Sequence, residues 1–236
     1  MSAPRTTSPV ASAEGTIVVR QQYTAELEQL ALQVELMGVL VDENLERMRR
    51  ALAAGDASVV ADALATDDRI DAMNVSLMER SYDILRREAP VASDLRLIVS
   101  VLRVTGEFER IGDLALRVVK LAPDHALVAA EPRAFDILCS LADHATAQFR
   151  DALRAWSTQD LGLAEAVAGE PPVPMASRGL VEALLAYQGP DAVLVALRTM
   201  VVGQALDRIA DHAAVLGARI RYLITGDPDH LAAEVR

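Results

Sequence analysis

Residues 109–115 of the chain read ERIGDLA, and residues 207–213 read DRIADHA. A carboxylate, an arginine, an isoleucine, a small residue and an aspartate recur in the same order, 98 residues apart. An internal repeat at this distance indicates a duplicated structural unit. The chain of 236 residues is long enough for two units of roughly 100 residues each.

Apolar residues at helical spacing surround both copies of this motif. Over residues 17–53 they recur at intervals of three and four, which is the period of one face of an α-helix. The same reasoning predicts helices over residues 17–53, 57–88, 93–121, 133–158 and 191–225, with an irregular fifth segment that begins at Asp160 and contains the proline-rich insert 169–174. The core face of the first helix is predicted to carry Leu27, Leu30, Val34, Met37, Val41, Leu45 and Met48.

Three long helices joined by short loops must fold back on one another as antiparallel neighbours. We therefore predict an all-α protein made of two tandem, sequence-related antiparallel three-helix bundles. Aromatic residues make up only 3% of the chain, which argues against a β-sandwich, where aromatic side chains are enriched. The predicted boundaries are a disordered tail over residues 1–15, a first repeat over 16–122, a linker over 123–132, a second repeat over 133–226 and a C-terminal tail over 227–236.

The charge of the chain argues against nucleic-acid binding, since the formal net charge is −11 and Lys and Arg form no run. No segment approaches the roughly 20 apolar residues of a membrane span, and residues 1–15 lack the apolar core of a signal peptide. Cys139 is the only cysteine, so no internal disulfide can form. These observations predict a cytoplasmic protein. The lack of a glycine-rich phosphate loop and of a nucleophile elbow predicts that it is not an enzyme.

The acidic positions of the motif are candidate metal ligands because of their spacing. Residues i and i+4 lie about 40° apart on one helical face, so each such pair forms a step of two carboxylates. Their mutual repulsion costs a few tenths of a kcal/mol, and a bound cation would reverse its sign. Magnesium, manganese and iron ions accept carboxylate oxygens readily. The candidate ligands form three such steps: Asp67 and Asp71, Glu109 and Asp113, and Asp207 and Asp211.

Other interpretations of these residues remain open at this point. The pairs also fit a solvated helix face, with Arg110 or Arg208 as local ionic partner, or an acidic surface that binds a protein without metal. His212 fits either a further ligand or a histidine that is hydrogen-bonded to a neighbour. A ferritin-like oxidase is disfavoured, because that class needs Glu-x-x-His pairs and none of the four histidines has a glutamate three residues before it.

Three segments resemble the signature of the PhoU family: ERIGDLALRV (109–118), DRIADHAAVLGARIRYLITG (207–226) and DDRIDAMN (67–74). The resemblance extends over about residues 17–226. It implies a cytoplasmic negative regulator of phosphate uptake and of the phosphate-starvation response, built from two three-helix bundles. Its implied partners are the ATPase of the phosphate ABC transporter, a sensor histidine kinase and a second copy of the chain. It also implies divalent or iron-type metal ions on the acidic motif.

The second repeat departs from this family pattern. If the second and fifth helices begin at equivalent acidic residues, Pro171 and Met175 stand at the positions of Asp67 and Asp71. We therefore predict that any bound metal prefers the first bundle. A helical metal-binding or scaffold protein with a role outside phosphate transport is the alternative function.

Overall fold

The computed structural model describes residues 10–169 and 178–230. Within these residues the regular structure is entirely helical, which confirms the predicted all-α class of two tandem three-helix bundles. None of the described helices is both long and apolar enough to cross a membrane. The helices are α1 (Val10–Ala54), α2 (Val60–Arg87), α3 (Ser93–Val119), α4 (His125–Val128), α5 (Pro132–Thr158), α6 (Leu161–Gly169), α7 (Arg178–Ala186) and α8 (Ala192–Thr225).

Helix α1 contributes a continuous apolar row to the core of the first bundle. All seven residues predicted for its core face are buried, with at most 8% of their surface exposed, so that prediction is confirmed. The helix begins at Val10, five residues before the predicted end of the N-terminal tail. Pro9 is tolerated just before a helix start, and the residues that follow include the helix formers Ala11 and Ala13. Residues 1–9 of the predicted tail lie outside the described residues.

Local capping explains where several helices begin and end. Gly55 adopts a left-handed φ of +63° after α1, and the Asp56 carboxylate then accepts a hydrogen bond from the Ser58 amide at 3.1 Å. At the start of α5, the Glu131 carboxylate accepts a hydrogen bond from the amide of Ala134. Helix α8 ends at Gly226, whose φ of +73° is accessible to glycine at little cost.

The segment predicted as a linker, residues 123–132, is largely helical. A 3-10 turn over Ala122–Asp124 leads into the single turn of α4, and α5 begins at Pro132. Ala122 and Val128 are 5% and 2% exposed and belong to the hydrophobic core. The connection is therefore packed against the core, because burial removes its apolar side chains from water. The prolines near its ends did not indicate this burial.

The irregular fifth segment is divided into two short helices, α6 and α7. Gly169, the first residue of the predicted insert 169–174, is the last residue of α6. Residues 170–174 of that insert lie outside the described residues. The first bundle thus consists of α1, α2 and α3, and the second of α5, the pair α6 and α7, and α8.

The two bundles meet along two seams. At the first seam, between α1 and α5, Arg150 Nε donates to Asp42 Oδ1 at 2.6 Å and the Trp156 indole donates to the Ala31 carbonyl at 3.4 Å. Phe108 and Phe149 pack edge to face beside it, with ring centroids 5.4 Å apart. At the second seam α3 packs against α8, so the two helices that carry the repeated motif are neighbours.

Within the second bundle, α6 and α8 approach each other closely at Gly217. A Cβ atom on this residue would lie 2.6 Å from the Ala168 amide nitrogen and 2.9 Å from the Ala164 carbonyl oxygen. Both neighbours are backbone atoms, so no change of rotamer could relieve the clash. This crossing therefore requires a glycine for reasons of space.

We predict that Gly217→Ala lowers the free energy of unfolding by about 1–3 kcal/mol, because α6 and α8 must move apart. Gly106→Ala is the matched control, since a Cβ there meets nothing within 4 Å. Removing a glycine from a helix interior at that site should raise stability by roughly 0.5–1 kcal/mol. Urea denaturation followed by circular dichroism measures both changes. Equal effects of the two substitutions would contradict the close crossing.

Candidate functional site

The structure places the first two carboxylate steps on adjacent helices of the first bundle. Asp67 and Asp71 lie on α2, and Glu109 and Asp113 lie on α3. A Cβ atom on Gly112 would lie 3.6 Å from Asp67 Oδ1, so the aspartate lies close to the bare backbone of α3. The acidic face of α2 therefore lies beside the backbone of α3 at the motif. We call these four carboxylates the first-bundle cluster.

Burial and mutual repulsion raise the pKa values of carboxylates in the first-bundle cluster. Burial, followed by the charges of Asp113 and Asp71, raises the pKa of Asp67 to about 6. Burial and the charge of Asp113 also raise the pKa of Asp71 and of Glu109. Lys120 opposes the shift of the pKa at Asp67. The cluster thus holds more negative charge than its surroundings compensate, which is the electrostatic condition under which a cation would bind.

The third step lies on the other side of the α3–α8 seam. Asp207 and Asp211 line an open cleft of about 600 Å³ between the two motif helices. Asp113 lines the same cleft, so it belongs both to the first-bundle cluster and to the cleft. The residues that line the cleft are Arg110, Asp113, Leu114 and Arg117 from α3, and Gln204, Asp207, Arg208, Asp211 and His212 from α8.

The cleft has the symmetry of the repeat. Positions 98 residues apart face it from opposite sides, as Arg110 and Arg208 do, and as Asp113 and Asp211 do. Charges of both signs lie next to one another along its walls. Arg117, Arg208, Asp113 and Asp211 make no ion pair within 4 Å among the described residues, although each lines the cleft.

The six predicted ligands therefore fall into two groups that share Asp113. In the part of the chain that the structure describes, no three Asp, Glu, His or Cys side chains are arranged to hold a metal ion. The donors are of the right chemical kind, but they do not converge on one point in this conformation. In the second repeat, Pro171 and Met175 stand at the positions of Asp67 and Asp71. Both lie outside the described residues.

Glu107 is a buried charged residue beside the candidate site that the sequence analysis missed. It is 2% exposed, and its carboxylate lies in the α3–α8 seam next to the cleft. His212 Nδ1 lies 2.5 Å from Glu107 Oε2, and Arg219 lies 3.1 Å and Arg110 2.8 Å from Oε1. Burial alone would raise the pKa of Glu107. The hydrogen bond from His212 and the charges of Arg219 and Arg110 lower the pKa below its ordinary value.

A signal for Glu107 was present in the sequence. It lies three residues after Val104 and four before Ile111, on the face of α3 that is otherwise apolar and fully buried. A glutamate on such a face indicates a compensated buried charge, since an isolated buried carboxylate is costly. His212, for which a hydrogen bond to a neighbour was one of the two interpretations, supplies part of that compensation from the other bundle.

We predict that Glu107→Gln lowers the free energy of unfolding by about 2–4 kcal/mol, because it leaves Arg219 and His212 of α8 in the seam without their carboxylate. Glu28→Gln serves as control, since Glu28 is exposed on α1. Chemical denaturation of both variants at pH 7.5 measures the difference. A loss below about 0.5 kcal/mol for Glu107→Gln would show that the seam does not depend on this charge.

Comparisons with known proteins agree with the two-bundle fold and its motif. A family model described as the PhoU domain matches residues 34–122, within the first repeat. The phosphate-specific transport system accessory protein PhoU homolog of Pseudomonas putida is 29% identical over 211 residues, which cover 88% of this chain and 82% of that protein. The homolog of Pseudomonas aeruginosa is 30% identical over 211 residues, covering 88% of this chain and 87% of that protein.

Solved structures extend the comparison to three dimensions. The crystal structure of PhoU from Pseudomonas aeruginosa superimposes with a TM-score of 0.80 at 29% identity and covers 87% of this chain and all of that one. The phosphate transport system regulatory protein PhoU from Streptococcus pneumoniae has a TM-score of 0.75 at 21% identity, which shows the shared fold. The two motif segments, the tandem bundles and these similarities together show that the chain belongs to the PhoU family.

Proposed function

We propose that this protein is a negative regulator of phosphate uptake and of the phosphate-starvation response, and that it acts by contact with other proteins. The names of its relatives support this proposal, since several are phosphate-specific transport system accessory proteins. Its partners in the proposal are the ATPase of the phosphate ABC transporter, a sensor histidine kinase and a second copy of the chain, in the cytoplasm. It carries out no catalysis of its own.

The observation that carries this proposal is the cleft between the two copies of the motif. It is open to solvent, and its walls include Arg117, Arg208, Asp113 and Asp211, which make no ion pair among the described residues. Such charges are well hydrated when alone and can form new pairs with complementary side chains of a partner. An enzyme would instead be expected to enclose its substrate and exclude water, which an open mixed-charge cleft does not do.

Cation binding on the first-bundle cluster belongs to the same proposal. Burial and mutual repulsion raise the pKa values of Asp67, Asp71 and Glu109, so the ionised cluster would be relieved by a divalent or iron-type ion. Because the side chains do not converge in the described conformation, binding would need rotation of surface carboxylates. Asp207 and Asp211 are the second and weaker candidate pair, in keeping with the preference predicted for the first bundle.

We predict that Asp67→Asn weakens Mn²⁺ binding at least tenfold in calorimetric titrations at pH 7.5, whereas Asp207→Asn changes it little. In EDTA the Asp67→Asn variant should be more stable than the wild type at pH 7.5, because it removes a repelled charge. The raised pKa of Asp67 means that the folded wild type binds an extra proton between about pH 4 and 6. The wild type therefore gains stability as the pH falls through this window, and the advantage of the variant shrinks.

The opposite order of affinities, with Asp207→Asn more harmful than Asp67→Asn, would contradict the preference for the first bundle. Full Mn²⁺ binding by both single variants and by the Asp67→Asn/Asp113→Asn variant would contradict cation binding at the cluster. Either result leaves the regulatory function to be decided by the test below.

The regulatory function is tested in a strain that lacks this protein, by measuring phosphate uptake and a phosphate-starvation reporter in high phosphate. We expect loss of the protein to derepress the reporter severalfold and the wild-type gene to restore repression. Glu109→Ala/Asp113→Ala should fail to restore it, and so should Arg117→Ala/Arg208→Ala, which removes cleft cations and leaves every candidate metal ligand in place.

The matched control is Glu79→Ala/Asp83→Ala, another i, i+4 carboxylate step on α2 that lies outside the motif. It should restore repression fully. If neither uptake nor the reporter changes when the protein is lost, the phosphate role is overturned and the chain is a PhoU-type bundle with another use. If only the carboxylate variant fails, the cleft arginines are not a contact surface.

A further inference from the structure

Helix α8 exposes a row of large apolar side chains along its first three turns. Val193, Leu197 and Val201 follow one another at i, i+4 spacing and are 76%, 59% and 37% exposed, and Leu194 lies beside them at 41%. We call Val193, Leu197 and Val201, with Leu194, the apolar ridge. No charged side chain belongs to it. An i, i+4 row of this kind is the feature by which helices pack against one another.

The same turns of α8 are apolar on their opposite side as well. Val195 and Val202 are 1% exposed and pack inside the second bundle. A helix that is hydrophobic all round is normally covered on every side. Within the described residues, the bundle covers only one side of this part of α8.

The first repeat shows what the ridge replaces. At the motif offset of 98 residues, Leu194 and Val201 correspond to Arg96 and Arg103 of α3, whereas Val193 and Leu197 correspond to the apolar Leu95 and Val99. The duplicated unit thus carries two long cationic side chains at positions where the second repeat carries Leu and Val. The second repeat thus continues an apolar row that arginines interrupt in the first repeat, so the length of the ridge is specific to the second repeat.

A second exposed apolar row, on α1, differs from the ridge in its charge. Leu32, Leu36 and Val39 are 50–53% exposed, but Glu28 and Glu35 lie beside them on the same helix. For a chain with a net charge of −11, two copies of that surface would bring like charges together. Around the ridge the nearest charge on α8 is already compensated, since Arg198 pairs with Asp124 at 2.9 Å. Asp191 lies only at the end of the ridge, before the helix starts.

We propose that the apolar ridge is the surface through which two copies of this chain associate, with α8 packed against α8 of the second copy. This inference takes from the proposed function only the identity of the partner, which is a second copy of the chain. In a twofold contact the same residues meet from both sides, so Leu197, the middle of the ridge, lies nearest the axis. Identical i, i+4 rows interdigitate when two helices cross at about −50°.

The size of the ridge fits the centre of such an interface. Val181 and Leu185 on α7 are also exposed, at 37% and 77%, and Leu185 lies close to the turn that leads into α8. Together with the ridge they make six exposed apolar side chains per copy, fewer than the roughly 20–30 residues that a standard interface takes from each side. A standard interface takes about 800 Å² from each partner, with an apolar centre and a polar rim. The expected dimer is therefore in concentration-dependent equilibrium with the monomer.

The first test compares the association of the full-length wild type, Leu197→Arg and Leu36→Arg by sedimentation equilibrium between about 1 and 200 μM. The two leucines are similarly exposed, at 59% and 52%, so the substitutions are matched in their effect on the folded monomer. We expect the wild type and Leu36→Arg to dimerise alike and Leu197→Arg to associate at least 100-fold more weakly. Circular dichroism and thermal unfolding confirm that both variants are folded.

The second test uses the single natural cysteine. In a Cys139→Ser background, Leu197→Cys places one thiol at the expected axis, and Leu36→Cys places one on α1. Mild oxidation should convert most of the Leu197→Cys chain to a disulfide-linked dimer and leave the Leu36→Cys chain monomeric. This readout does not require that a substitution weaken the contact, so it stands even if Leu197→Arg affects folding.

The outcomes separate this inference from the proposed function. A wild type that stays monomeric at every concentration overturns self-association, and the starvation reporter still decides the regulatory role. If the wild type dimerises, but Leu197→Arg does not weaken the dimer and Leu197→Cys forms no cross-link, the interface lies elsewhere. That result overturns the ridge as the contact surface. A monomeric wild type whose Leu197→Arg variant no longer represses the reporter shows that the ridge meets a different protein, which also overturns self-association.

Discussion

The buried carboxylate of Glu107 is the constraint on which the arrangement of the two bundles depends. A charge removed from water is tolerated only where cations and hydrogen-bond donors surround it. Arg110 comes from its own helix, but His212 and Arg219 come from α8, more than 100 residues later. The compensation is complete only when α3 and α8 lie side by side. The cleft between the two motif segments exists because the seam beneath it is held in this way.

Much of the fold could be predicted from the sequence because helical periodicity is a local property. The spacing of apolar residues on α1 and the repeated motif were sufficient for the two bundles, since both depend on residues a few positions apart. The helical turns and the burial within the connecting segment could not be predicted, because the burial of Val128 depends on tertiary packing. The site was predicted in part. The carboxylate steps could be read from i, i+4 spacing, whereas the partners of Glu107 on a distant helix could not.

The two repeats share a framework but differ on their surfaces. The first keeps carboxylates on both α2 and α3, and Asp67 of α2 lies beside Gly112 of α3. The second has a divided fifth segment, a glycine-dependent crossing at Gly217 and apolar side chains where α3 has arginines. Duplication thus supplied one stable packing scheme twice, and the exposed positions, which the core does not constrain, diverged toward different uses.

Asp113 lies in the first-bundle cluster and also lines the cleft, so a cation bound at the cluster and a partner bound in the cleft would be thermodynamically linked. A cation held by its carboxylate would withdraw negative charge from the cleft, and an arginine of a partner bound there would withdraw it from the cluster. Linkage is reciprocal: any factor by which the cation weakens the partner is the factor by which the partner weakens the cation. One shared side chain would then be enough for the protein to report on two ligands at once.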